Sequence, residues 1–240
     1  MKKTVKLLSL AAAIFAGLSG TAQAEGFKIG ADVVSSYVWR GTEISVFNGG
    51  LGDSPAIQPA LSYTFPGIGV VVGAWGSYAV TENSGHRYKE VDLYVAVPVG
   101  PFTLTATDYY VPFVGGTNRT FDFSSDGPNV VEVSVGYAKD NLSLLAAINV
   151  AGNTGSSSNG VQNAKYFEAG YKFYSKDGYT AKGVVGLGDE DFYGDQFGIQ
   201  KTGNIALVNT GISVSKDRYT ASYVYNPDTE ASHLVFMASF

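Results

Sequence analysis

The stretch FKIGADVVSSYVWR, residues 27–40, alternates in side-chain character from end to end. Phe27, Ile29, Ala31, Val33, Ser35, Tyr37 and Trp39 form one set. Lys28, Gly30, Asp32, Val34, Ser36, Val38 and Arg40 form the other, which holds every charge. Successive side chains of an extended chain point to opposite faces, so this period of two predicts a strand with an apolar, aromatic face and a polar one. The pattern recurs: Val91, Leu93, Val95 and Val97 oppose Glu90 and Asp92, and Val131, Val133, Val135 and Tyr137 oppose Glu132 and Ser134. Phe167, Ala169, Tyr171 and Phe173 likewise oppose Glu168 and Lys172. No stripe of helical period with capping residues interrupts it.

Twelve such segments follow, at 27–39, 54–65, 68–80, 88–98, 101–113, 129–139, 141–151, 164–175, 178–188, 203–215, 218–226 and 229–240. Their lengths suit strands that cross a bilayer at a tilt, about 9 to 11 residues within the hydrocarbon. Val70 to Val72 and Ala206 to Val208 alternate poorly, and Asp108 falls on an apolar face unless a bulge shifts the register. Tight connections at Pro66-Gly67, Val99-Gly100, Asp140, Lys176-Asp177 and Lys216-Asp217 alternate with longer polar ones at 41–53, 81–87, 114–128, 152–163 and 189–202, with 227–228 a short exception. Short turns on one side and long loops on the other are the asymmetry of outer-membrane barrels. The expected fold is therefore all-β, a transmembrane antiparallel up-and-down barrel of about twelve strands, closed because lipid tolerates no unpaired strand edge.

Composition agrees. The chain has 240 residues, 45% hydrophobic and 15% charged, with 30 Gly, 16 Tyr, 14 Phe and no Cys. That excludes disorder, disulfide frameworks, Cys-ligated zinc, iron–sulfur clusters and thiol nucleophiles. Residues 1–24 have the form of a cleaved signal peptide: Lys2, Lys3 and Lys6, an apolar run from Leu7 to Leu18, and Ala22-Gln23-Ala24 as the cleavage site. The run is too short to span a membrane as a helix. Residues 25–240 are then the exported barrel. Without the three leader lysines, 13 Lys+Arg face 21 Asp+Glu, a net charge of −8 that argues against a nucleic-acid partner. Export and a lipid-facing strand pattern imply the outer membrane of a Gram-negative bacterium. There the partners would be lipid and lipopolysaccharide, the barrel-assembly machinery and small polar solutes.

Several stretches resemble the TorF-type family of bacterial outer-membrane porins. Ser35-Ser36-Tyr37-Val38-Trp39-Arg40-Gly41 is similar to that family's S-x-Y-x-[FW]-R-G, and Asp53-Ser54-Pro55-Ala56-Ile57-Gln58 to its D-P-A-[LI]-Q stretch. Gly73-Ala74-Trp75-Gly76-Ser77 and Glu90-Val91-Asp92-Leu93-Tyr94 continue the resemblance, which is best in the N-terminal half, while Pro59 stands where the family more often has Gly. The resemblance implies a barrel and a channel.

The candidate pore-lining residues are Lys28, Asp32, Arg40, Glu90, Asp92, Glu132, Glu168, Lys172 and Lys182, all on the polar faces of their segments. A charge facing lipid at mid-bilayer would cost roughly 2–4 kcal/mol, so membrane physics alone directs them inward. If Tyr171, Phe173, Tyr179 and Ala181 all face lipid, the hairpin at 176–177 pairs residues whose numbers sum to 354, and Lys172 lies opposite Lys182. Phe236 and the final Phe240 share an apolar face and are candidates for an assembly signal. The tyrosines and Trp39 are expected in aromatic girdles at the two membrane interfaces.

Other chemistry is weaker. The two histidines are His86, in a loop beside Ser84, and His233 on a polar strand face; no local pattern joins Ser, His and an acid. Asp189-Glu190-Asp191 with Asp195 lacks the spacing of an EF-hand and is expected to be a solvated acidic loop. No metal or cofactor is expected. The expected function is passive diffusion of small polar solutes, with a non-conducting structural barrel or adhesin, or a lipid-acting enzyme, as alternatives.

Overall fold

A computed structural model describes residues 26–44, 54–82, 87–112, 119–124, 127–152, 163–194 and 203–240. Twelve strands form one closed antiparallel barrel: β1 (Gly26–Val34), β4 (Ala56–Thr64), β5 (Val71–Ala79), β6 (Lys89–Val99), β7 (Phe102–Tyr110), β8 (Asn129–Lys139), β9 (Leu142–Gly152), β10 (Lys165–Lys176), β11 (Tyr179–Asp189), β12 (Ile205–Lys216), β13 (Tyr219–Asn226) and β14 (Ala231–Ser239). Each pairs with its neighbours in chain order, and β14 returns to β1. Two further strands, β2 (Val38–Trp39) and β3 (Thr42–Glu43), form a separate hairpin, and a single helical turn, α1 (Glu190–Tyr193), follows β11. Among the described residues no helix is long and apolar enough to cross a membrane.

Along β4 the faces separate cleanly: Ile57 and Leu61 are exposed, whereas Ala56, Gln58, Ala60, Ser62 and Thr64 are buried. On β1, Ile29 is 79% exposed and Asp32 2%. Large apolar side chains outside and carboxylates inside invert the arrangement of a water-soluble protein, and give the apolar outer surface that hydrocarbon requires. Threonines from β7, Thr103, Thr105 and Thr107, and Ser134 on β8 are buried on the inner face.

The two-residue Asp177-Gly178 turn has φ of 52° and 82°, the positive pair that a tight right-twisting hairpin needs. It pairs Lys176 with Tyr179. Such a turn joins residues three apart, whose numbers sum to an odd total, so the even register expected from the sequence cannot run to the turn. The structure reconciles the two with a bulge: Tyr166 to Lys172 pair in the 354 register, Lys172 opposite Lys182, and the register slips by one before Tyr174. No comparable shift occurs in β7, whose ladders to β6 and β8 are continuous. Asp108 therefore stays on the outward face near the long-loop end, where the Asn129 side chain donates to it at 2.8 Å. The Pro66-Gly67 turn is longer than expected, running from Phe65 to Val70, which are joined by a backbone hydrogen bond of 2.8 Å.

The seam between β1 and β14 is short. Asp32, Val33 and Val34 pair with Ser239, Ala238 and Met237, while β1 pairs with β4 over nine residues. Backbone bonds between Ala31 and Phe240, and from Ser35 to Phe236, extend it by a residue or two at each end.

The first segment departs most from the sequence reading. It stops at Val34 instead of 39, and the chain turns into the lumen as the β2–β3 hairpin. Val38 pairs with Glu43 and Trp39 with Thr42, around Arg40 and Gly41 with φ of 51° and 86°. Arg-Gly occupies the two positive-φ positions of a type I′ turn. Tyr37 and Trp39 are thus inside the barrel, not in a girdle, and Arg40 sits on a turn instead of on the β1 wall.

Candidate functional site

The hairpin carries its tip across the barrel. In a ring of twelve, β9 lies six places from β1 in either direction, and the strands beside it, β8 and β10, receive the tip. The Arg40 guanidinium donates to both oxygens of Glu132 on β8, Nη1 to Oε2 at 2.6 Å and Nη2 to Oε1 at 2.9 Å. Nη1 also donates to the Tyr193 hydroxyl at 2.7 Å. The guanidinium carbon lies 4.4 Å from the Trp39 ring centroid and 4.5 Å from that of Tyr166 on β10. Tyr109 on β7 donates to Glu132 Oε1 at 3.2 Å. A bidentate fork between planar groups, stacked on aromatic faces, suits arginine and no other side chain. Both partners are buried, with side-chain exposures of 3% and 1%. Burial opposes the guanidinium charge, the Glu132 carboxylate outweighs it, and the net effect holds Arg40 well above its ordinary pKa.

Helix α1 supports this contact from the loop side. Burial pushes the Tyr193 phenol up, so it remains a neutral hydroxyl. The Tyr193 carbonyl accepts from Thr42 Oγ1 at 3.3 Å and Asn226 Nδ2 at 2.9 Å. Gly41 packs on the Val208 carbonyl of β12 so closely that a Cβ there would overlap it.

At the hairpin base, Tyr37 packs against Trp75 and Tyr88, with ring centroids 5.4 and 6.1 Å apart. Burial, with Glu90 adding to it, raises the Tyr37 and Tyr88 phenols well above their usual range. Tyr88 donates to Glu90 Oε2 at 2.8 Å. Along this wall Asp32 pairs with Gln58, Gln58 donates to Ser77 at 3.3 Å, Ser77 pairs with Glu90, and Trp75 pairs with Asp92. All are buried. Below the hairpin lies a cavity of about 360 Å³ whose lining runs from Tyr37, Trp39 and Asp92 to Thr180, Ser215 and Thr220. The last three are the residues next to the strand ends at the short turns, so the cavity extends to that rim.

The candidate residues fall as follows. Asp32, Glu90, Asp92 and Glu132 are buried on the inner wall, and Lys28, Glu168, Lys172 and Lys182 are half-buried on inward positions. Among them Arg40 and Glu132 are brought into contact as a charge pair. Glu168 accepts from Tyr166 at 2.8 Å and Asn209 at 3.2 Å. Phe236 and Phe240 face outward. His233 lies 3.7 Å from Glu43, which also accepts from Ser36 at 2.7 Å.

Two expectations are corrected. Tyr88, Tyr166 and Tyr193 join Tyr37 inside, because each finds a hydroxyl partner or an aromatic neighbour there, leaving Tyr171, Tyr174, Tyr179 and Tyr219 among the exposed rings near the short turns. Residues 189–191 are not a solvated acidic loop. Asp189 accepts from the Lys165 amide at 2.5 Å and Asp191 from the Gly203 amide at 3.0 Å, both buried. Ser84, His86 and Asp195 lie outside the described residues. Among the described residues no three His, Cys, Asp or Glu side chains are grouped to hold a metal ion.

A family model described as a bacterial protein of unknown function, Gcw_chp, matches residues 19–237, nearly the whole chain. The chain belongs to the Gcw_chp family. No curated protein matches the Gcw_chp chain in sequence. Among solved structures, a triple mutant of Rh. blastica porin is similar at 12% identity and a TM-score of 0.41, over 89% of the Gcw_chp chain and 100% of the porin chain.

Proposed function

We propose that the protein is a channel of the Gram-negative outer membrane that passes small polar solutes by diffusion, its lumen narrowed by residues 35–44. The carrying observation is the cavity of about 360 Å³ that runs to the short-turn rim inside a twelve-strand wall. Barrels of about eight strands are filled by side chains, and this wider one retains an internal space walled by Thr and Ser. The apolar outer face supports the membrane location, and the signal-peptide pattern of residues 1–24 supports export. The resemblance of Ser35 to Gly41 to TorF-type porins agrees. In this reading the protein has no catalytic activity and no cofactor, and its surroundings are lipid and lipopolysaccharide.

Planar-bilayer recording of the refolded mature chain tests the proposal. Discrete conductance steps are expected, and larger steps when Arg40 is replaced by Ala, because the hairpin loses its anchor on the far wall. A second reading, a barrel that does not conduct, has one observation in its favour: Arg40 ties the hairpin across the lumen. A silent bilayer for both the parent and R40A would select that reading. A lipase assay on the same sample is expected to show no hydrolysis.

A further inference from the structure

The two halves of the lumen differ in how their carboxylates are neutralised. On the β8 side Glu132 has Arg40 as its cation. On the β5–β6 side Glu90 and Asp92 project from alternate positions of one strand and share a hydrogen bond, which takes a proton between the two carboxyl groups. Among the described residues neither forms an ion pair, so a bound cation would take the place of that proton. Three buried polar atoms on this wall have no hydrogen-bond partner among the described residues: Asp92 Oδ1, Gln58 Oε1 and Trp75 Nε1. Their residues are 2%, 2% and 4% exposed. Unpartnered polar atoms in a low-dielectric interior carry an uncompensated desolvation cost, so the sequence retains them against a penalty. They are also neighbours. Trp75 stands directly opposite Asp92 on the β5–β6 ladder, and Gln58 bonds Ser77, two residues along β5 from Trp75. The residues Gln58, Trp75 and Asp92 line the cavity below the hairpin, together with Tyr37 and Tyr109.

We infer that this wall is a binding site for a small organic ammonium ion that carries a neighbouring hydroxyl or carbonyl oxygen. Each feature of the ligand answers one of the free groups. The ammonium N–H donors meet the acceptors Asp92 Oδ1 and Gln58 Oε1. Its charge meets a carboxyl pair that has no cation of its own, in the company of the aromatic side chains Tyr37, Trp75 and Tyr109, which favour cations over neutral solutes. The Trp75 N–H, a donor without an acceptor, meets the ligand's oxygen. Arg40 provides an internal precedent, a guanidinium held between a carboxylate and aromatic rings on the opposite wall. The volume of about 360 Å³ lies at the small end of ligand cavities, which suits a metabolite-sized amine. A site enclosed by the barrel wall is out of reach of lipid headgroups around the outside, so the ligand is a free solute.

The inference deepens the channel reading by naming a solute class, and rests on it only for the route of access. The test is a tryptophan-fluorescence titration of the full mature chain in detergent micelles with ethanolamine hydrochloride, using ethylene glycol and sodium chloride as controls. A saturable change with ethanolamine alone is expected, weakened at least tenfold in Asp92→Asn. If D92N does not yield the folded, heat-modifiable band, Gln58→Leu in the same titration is expected to weaken binding several-fold. No saturable response to ethanolamine overturns the site, as does an equal response to either control or an unchanged affinity in a folded variant. Ethanolamine binding by a barrel that carries no current would keep the site and remove the channel. Conductance without ethanolamine binding would do the reverse.

Discussion

Arg40 holds a left-handed backbone at φ 51°, a conformation costing a non-glycine residue roughly 1–2 kcal/mol, and Gly41 beside it needs φ 86°. The strain is offset because the same residue fills a buried, bidentate pair with Glu132. Removing one member of such a pair leaves the other charged and buried, at about 3–5 kcal/mol, and alanine, which also carries a Cβ, keeps the left-handed strain. Arg40→Ala is therefore expected to lower stability by about that amount in urea unfolding from micelles. Arg40 and Glu132 replaced together should cost less than the two single changes summed. Equal, additive losses would mean that the pair contributes nothing as a pair. Gly41→Ala acts differently, since its methyl group would meet the Val208 carbonyl and its φ is unfavourable. It is expected to displace the hairpin and reproduce the conductance increase of R40A with Glu132 and Arg40 both intact.

At the scale of strands, the opposition of Lys172 and Lys182 puts two ammonium groups on one inner face. Like charges directly opposite are unfavourable, and Lys182 relieves the crowding by lying along the wall over Gly170, where an added Cβ would meet its side chain. Replacing both lysines by alanine should shift the reversal potential in a salt gradient towards cation selectivity; an unshifted value in a conducting barrel would remove them from selectivity. Strands of this kind were legible in the sequence. The segment 129–139 coincides with β8 because a wall with an apolar outer face and a polar inner one favours alternation along the strand. The hairpin was not legible, since Ser35 to Trp39 keep the same alternation while leaving the wall, and period two reports an extended chain without saying what it pairs with. Arg40-Gly41 was the available signal, a pair suited to two positive φ values, but arginine is an unusual first member of such a turn. The partners of Arg40 could not have been found, because Glu132 is 92 residues away and only the ring order makes it the facing wall. Tyr37, Tyr88, Tyr166 and Tyr193 depart from the girdle expectation for a related reason: an amphipathic ring suits an interface and a polar lumen equally well, and only the third dimension distinguishes them.

For the whole molecule, closure governs behaviour. A cylinder with every strand paired should migrate as a compact band that shifts on heating and give a β-type circular dichroism spectrum in detergent; substantial helical signal would contradict the fold. Phe240 contributes to closure through its backbone, accepting from Ala31 at 3.1 Å and donating to it at 2.9 Å, while its ring lies outside. Phe240→Ala is expected to reduce the amount of inserted barrel at the cell surface, because an outward aromatic anchor is lost at the strand that must close the ring; undiminished surface abundance would refute this. The short seam between β1 and β14 has a mechanical meaning as well. A wall tears along the line with fewest bonds, and three ladder pairs with a few flanking bonds stand here against nine on the other edge of β1. Amide exchange should therefore begin at Ala31, Ser35 and Phe240, ahead of the β10–β11 amides. Thermal unfolding should then start as an unrolling, in which the tube opens lengthwise into a curved sheet while its hairpins are still intact.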